Sequence, residues 1–443
     1  MDRRTRKTPL PEEPVQVRVT GFAHDGRGTA HCDGRVVFIE GALPGEEVSF
    51  VYTELKRDYG VGRVERVLAP ASERVAPLCP HFGVCGGCSL QHLAPEAQVV
   101  RKQELLLEQF RRIGRVEPEG LFPPLYGPHW GYRGKARLGV RYVAKKGRVL
   151  VGFRERASAY VAEIDSCPVL HPRIGERLRE IAELIEGLSI RERLPQIEVA
   201  VGENSAALVF RVLEEPSEAD RKRLCRFGEE QEFDVYLQRH GPESVTLLFP
   251  DHPRELTYSL PEAGVELCFA PTEFTQVNSE INRRMVERVM EVLDPKPEDR
   301  LLDLYCGIGN FTLPMARRAG WVVGVEGSSE AIERARRNAL RNRIYNVEFH
   351  GADLTRPEAC GAWAGAEYDR VLLDPSRAGA QEILERVLQW RARRIVYVSC
   401  NPATLARDAG ILVHRHGYRL VRAGVMDMFP HTAHVESLAW FER

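Results

Sequence analysis

The spacing of hydrophobic and polar residues changes twice along this 443-residue chain. Residues 14–68 hold short alternating runs, VQVRVTGF, RVVFIEG, EEVSFVYTEL and GVGRVERVL, separated by DGRG, CDGR and GALPGEE. A period of two buries one face of a strand and the separators are turn chemistry, so this stretch predicts a small β-barrel. The preceding residues, MDRRTRKTPLPEE, predict a basic flexible arm over 1–13. Residues 69–270 mix helical stretches near 95–114 and 172–187 with strands such as QIEVAV, AALVFRVL, FDVYLQR and SVTLLF, which predicts an α+β region. From 271 onward a helix over 278–293 leads into RLLDLYC, WVVGVEG, NVEFHGAD, RVLLDP and RIVYVSC, with helical segments between most of them. Apolar strands alternating with helices predict a doubly wound parallel sheet over 271–443.

Composition narrows the setting. With 43% hydrophobic and 28% charged residues the chain resembles soluble globular proteins, and its length calls for two or three domains. The N-terminal residues lack the apolar core of a secretory signal, and no run of about 18 apolar residues occurs, so a cytoplasmic protein without membrane contact is expected. Ten cysteines are too sparse for a disulfide scaffold, and a reducing compartment leaves them for metal binding or catalysis. A net charge of -1 excludes a uniformly basic nucleic-acid binder but allows local patches. One candidate is 132–156, with nine Lys or Arg against one Glu, interleaved with Tyr132, Tyr142 and Phe153. That pattern suits phosphate contacts and base stacking on single-stranded RNA, with a solvated sheet face as the plainer alternative.

Candidate chemistry concentrates near the C-terminus. In LLDLYCGIGNFTLPMA a strand runs into Gly307-Ile308-Gly309 and then a helix, the turn that lets backbone approach a ligand. The spacing is not the GxGxxG dinucleotide fingerprint. Asp303, Glu326, Asp353 and Asp374 stand at successive strand ends, and Glu326 is placed to accept hydrogen bonds from ribose hydroxyls. Cys400 lies between a strand and Asn401-Pro402, a helix start whose N–H groups and dipole favour a thiolate. A buried, inert cysteine is the plain alternative. Glu436 opens the strand-like HVESLAWF. Separately, CPHFGVCGGC places Cys79, Cys85 and Cys88 close together, with Cys167 distant in DSCPVLHP. Four thiolates there could hold Zn²⁺ or a [4Fe–4S] cluster.

Taken in order, DLYCGIGNFT, GADL, LLDPSRAG, VSCNPATLARD and FPHTAHVES resemble the S-adenosylmethionine-dependent RNA uracil-C5 methyltransferases, which make 5-methyluridine. Residues 14–68 are similar to the TRAM domain, an OB-like RNA-binding barrel. The resemblance implies three parts: this barrel, a 69–270 domain bearing an iron–sulfur cluster, and a Rossmann-like class I methyltransferase domain. It implies methyl-donor contacts from Gln276, Tyr305, Asn310, Glu326, Asp353 and Asp374, with Cys400 as nucleophile and Glu436 as base. The cysteine spacing resembles the family's iron–sulfur branch, in which Cys79, Cys85, Cys88 and Cys167 would bind [4Fe–4S]. The implied substrate is 23S rRNA, with the transfer-RNA T-loop as the alternative and no obligate protein partner.

The chemistry agrees with those roles. Uracil C5 is a poor nucleophile until a thiolate adds to C6, and the C5 proton must then leave to a base such as a carboxylate. A cytosine-C5 enzyme would place a cysteine beside the proline of Asp374-Pro375-Ser376-Arg377, where this chain has Ser376. A noncatalytic RNA-binding assembly factor would not need Cys400, Glu436 and the acid series together.

Overall fold

The computed structural model describes residues 10–356 and 361–443 apart from Glu12, so the arm expected over 1–13 lies almost wholly outside the described residues. The chain divides into two compact units: residues up to Leu105 with 155–158 and 429–434, and the remainder. The three sequence regions are thus regrouped, with most of 106–270 sharing a unit with the doubly wound sheet.

In the first unit six strands form one sheet in the order Val15–Arg18, Glu47–Leu55, Tyr59–Ala69, Arg35–Glu40, Gly28–Cys32, Gly21–Phe22. Period-two patterning produces it: Val37 and Ile39 are fully buried while Val36 and Phe38 between and beside them are only half-buried. With Val19, Ala30, Val48 and Phe50 they make its core. A Cβ added at Gly62 would lie 2.4 Å from the Phe50 ring, so glycine lets that ring lie against the neighbouring strand. Phe50→Ala is expected to cost this unit about 3–5 kcal/mol, read as a lower midpoint in denaturant titration.

The cysteine loop belongs to the same unit. Phe82 N–H donates to Cys79 O (3.1 Å) and Cys85 N–H to His81 O (2.9 Å), giving a run of tight turns. Arg156 fastens this loop to the sheet: it pairs with Glu40, donates to Cys88 O (2.6 Å) and lies over the Phe82 ring.

The second unit contains two large sheets. One runs Val245–Phe249, Phe233–Gln238, Ala206–Arg211, Gln196–Val201, Lys135–Val143, Arg148–Gly152. Helix Glu218–Glu230 crosses between Ala206–Arg211 and Phe233–Gln238 and leaves them parallel. It starts at Ser217, whose hydroxyl accepts from Asp220 N–H while Asp220 accepts from Ser217 N–H, a reciprocal cap.

The basic segment 132–156 is largely consumed within the protein. Arg137 pairs with Glu198 (2.7 Å), Lys146 and Arg148 with Glu163, and Lys135 is half-buried with its ammonium on Glu273 O. Arg133 covers the Phe153 ring, Arg191 covers Tyr142, and Tyr132 is buried. Tyr132 is therefore closed to base stacking, and Phe153 and Tyr142 each carry a cation over the ring, because in a sheet opposite charges across strands and cations over rings satisfy each other.

The other large sheet holds β1 (Arg300–Leu304), β2 (Trp321–Glu326), β3 (Val347–Gly351), β4 (Arg370–Leu373), β5 (Arg394–Ser399), β6 (Arg419–Met426) and β7 (Glu436–Glu442). Their spatial order is β3-β2-β1-β4-β5-β7-β6, with Gly120–Leu121 added beside β6. β1 to β5 are parallel, and β7 runs antiparallel to both neighbours. Its helices include α1 (Ser279–Leu293), α2 (Thr312–Ala316), α3 (Ser329–Arg341), α4 (Val387–Trp390) and α5 (Pro402–His414). Strand order reverses between β1 and β4, the place where doubly wound sheets open a crevice at their carboxyl ends. The helix expected near 95–114 is Pro95–Gln109, continued by the wider turns of Phe110–Gly114. Gly114 lies against α5 so closely that a Cβ on it would sit 2.4 Å from Ala406 O. No helix among the described residues is long and apolar enough to cross a membrane.

Candidate active site

The turn after β1 needs positive φ three times: Tyr305 at 66°, Gly307 at 53° and Gly309 at 96°. Glycine meets this without strain, whereas Tyr305 is held there at a cost of order 1–3 kcal/mol, a pattern typical of ligand sites. Hydrogen bonds from Tyr305 and Cys306 N–H to Val325 O (2.8 and 3.1 Å) tie the turn to β2. Glu326, ending β2, accepts from the N–H groups of Gly307 (3.2 Å), Gly327 (2.7 Å) and Ser328 (2.9 Å), which fixes its carboxylate beside the glycine turn.

The strand-end acids come together as a row. Across β3-β2-β1-β4 they read Asp353, Glu326, Asp303, Asp374. Asp353 is exposed and held below the usual carboxylate range by Thr355, whose hydroxyl and N–H both donate to it (2.6 and 3.0 Å). Asp303 is fully buried; Thr312 donates to one oxygen (2.5 Å) and the other has no partner. Burial, then the nearby Asp374 and Glu326 charges, push its pKa up to about 8 against the Thr312 bond. Burial and then Glu326 raise Asp374 to about 7. The two raised carboxyls, Asp303 and Asp374, favour a cationic ligand beside them, because bound positive charge permits them to ionise.

The remaining expected donor contacts are placed differently. Asn310 is taken up by the protein, exchanging two hydrogen bonds with Asn282 (2.9 and 3.0 Å) and accepting one from Tyr258 (2.9 Å). Gln276 is half-buried in the loop before α1, and Glu273 of that loop is fixed by Ala270 N–H (2.6 Å) and Arg334 (3.1 Å).

Cys400 and Glu436 meet through sheet register. β5 and β7 pair Ser399 with Ser437, so the next step outward sets Cys400 opposite Glu436. Ser437 Oγ locks the register by donating to Ser399 O (3.0 Å). Asn401 caps α5 by accepting from Ala403 N–H (3.1 Å), with Pro402 in its first turn, as expected from the sequence. The expected electrostatic consequence is corrected: burial, then the Glu436 and Asp374 carboxyls, push the Cys400 thiol up to about 11, outweighing Arg377 and the backbone N–H. Glu436 is itself raised well above the carboxylate range, by burial and then by Asp374.

The sign of the coupling gives a test. A negative charge at Asp374 opposes the thiolate, so Asp374→Asn should move the pH profile of Cys400 alkylation by iodoacetamide to lower pH. Peptide mass spectrometry reads this, and an unmoved profile would assign the elevation to burial and Glu436. Cys306, in the glycine turn, is buried, and burial raises its thiol well above the usual range, whereas Cys400 is only half-buried.

Two features were not legible in the motifs. FPHTAHVES divides: residues 429–434 belong to the first unit, where His431 O accepts from Ser89 and Leu90 N–H (both 2.9 Å), and Val435, Glu436 and Ser437 belong to the second. The four cysteines also divide, Cys79, Cys85 and Cys88 in the first unit and Cys167 in the second, all half-buried. Their thiols suit a soft metal or cluster, but among the described residues no three His, Cys, Asp or Glu side chains converge as a metal-holding group. No reaction step is derived through a cluster.

A doubly wound sheet in this strand order, with acids across its switch point, defines a nucleotide-cofactor-binding α/β enzyme domain. Residues 128–443 match the tRNA (Uracil-5-)-methyltransferase family model and residues 13–64 the TRAM domain, so the chain belongs to the tRNA (uracil-5-)-methyltransferase family and carries a TRAM domain. It is 64% identical over 443 residues to the 23S rRNA (uracil(1939)-C(5))-methyltransferase RlmD of Methylococcus capsulatus, covering 100% of both chains. It is 58% identical to the protein of that name in Alkalilimnicola ehrlichii, covering 100% of this chain and 99% of the other. The solved Pyrococcus abyssi tRNA (uracil-54, C5)-methyltransferase in complex with S-adenosyl-L-homocysteine superposes with TM-score 0.72 at 26% identity, covering 96% of this chain and 99% of that one.

Proposed function

We propose that this protein transfers the methyl group of S-adenosylmethionine to C5 of a uridine in 23S rRNA. The observation that carries the reading is Cys400 set opposite Glu436 by the β5–β7 register, beside the strand-end acids. The names of the relatives from Methylococcus capsulatus and Alkalilimnicola ehrlichii support the choice of 23S rRNA. Gln276, Tyr305, Asn310, Glu326, Asp353 and Asp374 surround the donor in this reading.

Cys400 adds as thiolate to uracil C6, which makes C5 an enolate carbon able to attack the sulfonium methyl. The C–S bond of the donor breaks and its electron pair stays on sulfur. Glu436 then takes the C5 proton, C5=C6 re-forms, and the Cys400–C6 bond breaks. Positive charge brought beside Asp374 favours the ionised forms of both Cys400 and Glu436, which links donor binding to readiness of the acid–base pair.

We place a [4Fe–4S] cluster on Cys79, Cys85, Cys88 and Cys167 in the same reading, supported by their spacing and by the softness of four thiol donors. Bound there, it would leave uridine chemistry to Cys400 and Glu436. Protein purified without oxygen should be brown and carry about four irons per chain, whereas a colourless protein with one zinc rejects the cluster. Mapping 5-methyluridine in 23S and transfer RNA, with and without the gene, tests the substrate. A missing site confined to transfer RNA would move the activity to the T-loop.

A further inference from the structure

The first two turns of α5 hold the loop that follows Asp374. Asn401 Nδ2 and Thr404 Oγ1 both donate to Arg377 O (2.9 and 3.3 Å), and Arg407 donates to Ala378 O (2.9 Å). Asp408, fully buried, accepts from Ala380 N–H (2.8 Å), from the Tyr397 hydroxyl (2.7 Å) and from Arg407 (2.8 Å). Gly379 lies between these grips at φ 83°, where a Cβ would come within 2.5 Å of the Arg407 guanidinium and 2.7 Å of the Asp408 carboxylate. Three carbonyl or amide groups of one short loop thus find their partners on the helix that begins beside Cys400. Charged, directional bonds fix a separation, which apolar packing of the same area does not do.

We propose that Arg407 and Asp408 are positioning residues that lock the loop after Asp374 onto α5, so that the donor-side carboxyl and the Cys400 thiol keep one separation during methyl transfer. The inference rests on the roles given above to Asp374 and Cys400. Its physical reason is the steep distance dependence of group transfer, in which a displacement of about 1 Å costs on the order of 100-fold in rate.

The test uses the full-length protein. Arg407→Met keeps the apolar stem and removes the bonds to Ala378 O and Asp408; Gly379→Ala pushes the loop away without altering any α5 side chain. Both should lower kcat about 10–100-fold, with KM for RNA changed less than about twofold and a melting temperature within a few degrees of wild type. Arg407→Lys should recover part of the loss. The alkylation profile of Cys400 should also move to higher pH in both variants, because Arg377, whose charge opposes the two carboxyls at the thiol, travels with the loop. Unchanged kcat in folded Arg407→Met, or losses that track thermal stability with an unmoved alkylation profile, overturns the proposal. If the wild type makes no 5-methyluridine, the reading of the active site fails, and an unmoved alkylation profile still decides against the lock.

Discussion

Cys400→Ala should abolish 5-methyluridine formation, with a fall of about 10⁴-fold or more, while the protein melts within a few degrees of wild type. The magnitude follows from the chemistry: without covalent addition at C6 there is no carbon nucleophile at C5, so no parallel route of comparable barrier remains. The small stability effect follows from the structure. Cys400 is only half-buried and lies past the end of β5, so removing its sulfur leaves the β5–β7 ladder and the Asn401 cap intact. Donor affinity should change little, because in the proposed function the thiol meets uridine and the acid row meets the donor. Residual turnover at more than a hundredth of the wild-type rate would move the nucleophile elsewhere, and the buried Cys306 is poorly suited to replace it.

Glu436→Gln should stall the reaction after methyl transfer, leaving the protein joined to methylated RNA. The amide keeps the shape of the side chain and cannot take the C5 proton, so addition and methylation proceed while elimination does not. A denaturation-resistant protein–RNA band that requires both donor and Cys400 is the expected result. Full turnover would assign the base to another group, with Asp374 the nearest ionisable candidate. The same substitution is expected to be well tolerated by the fold. Glu436 is buried beside Asp374, and burial and then that carboxyl raise its pKa, so a neutral amide of the same shape removes a charge that its surroundings do not stabilise.

Much of this protein was legible in the sequence because the relevant physics is local. Period-two runs in 14–68 marked the first sheet, and the unbroken apolar strands from 300 onward marked a sheet covered on both faces. The turn Gly307-Ile308-Gly309 and the cap Asn401-Pro402 were readable because each depends on backbone conformation within a few residues. Cys400 and Glu436 were singled out by residue type, by place at a strand boundary and by resemblance.

What those residues do to one another was decided by tertiary structure. Only the antiparallel insertion of β7 beside β5 makes Cys400 and Glu436 neighbours, since 36 residues separate them along the chain. Helix capping predicted a depressed thiol, and the folded protein raises it, because burial and the through-space fields of Glu436 and Asp374 exceed the pull of one helix start. The basic segment 132–156 read as an RNA surface in one dimension, yet Glu163 and Glu198 arrive from elsewhere to pair with three of its nine cations. Periodicity, turns and caps are properties of short segments and can be read from them; register, burial and the sum of distant charges exist only once the chain has brought those segments together.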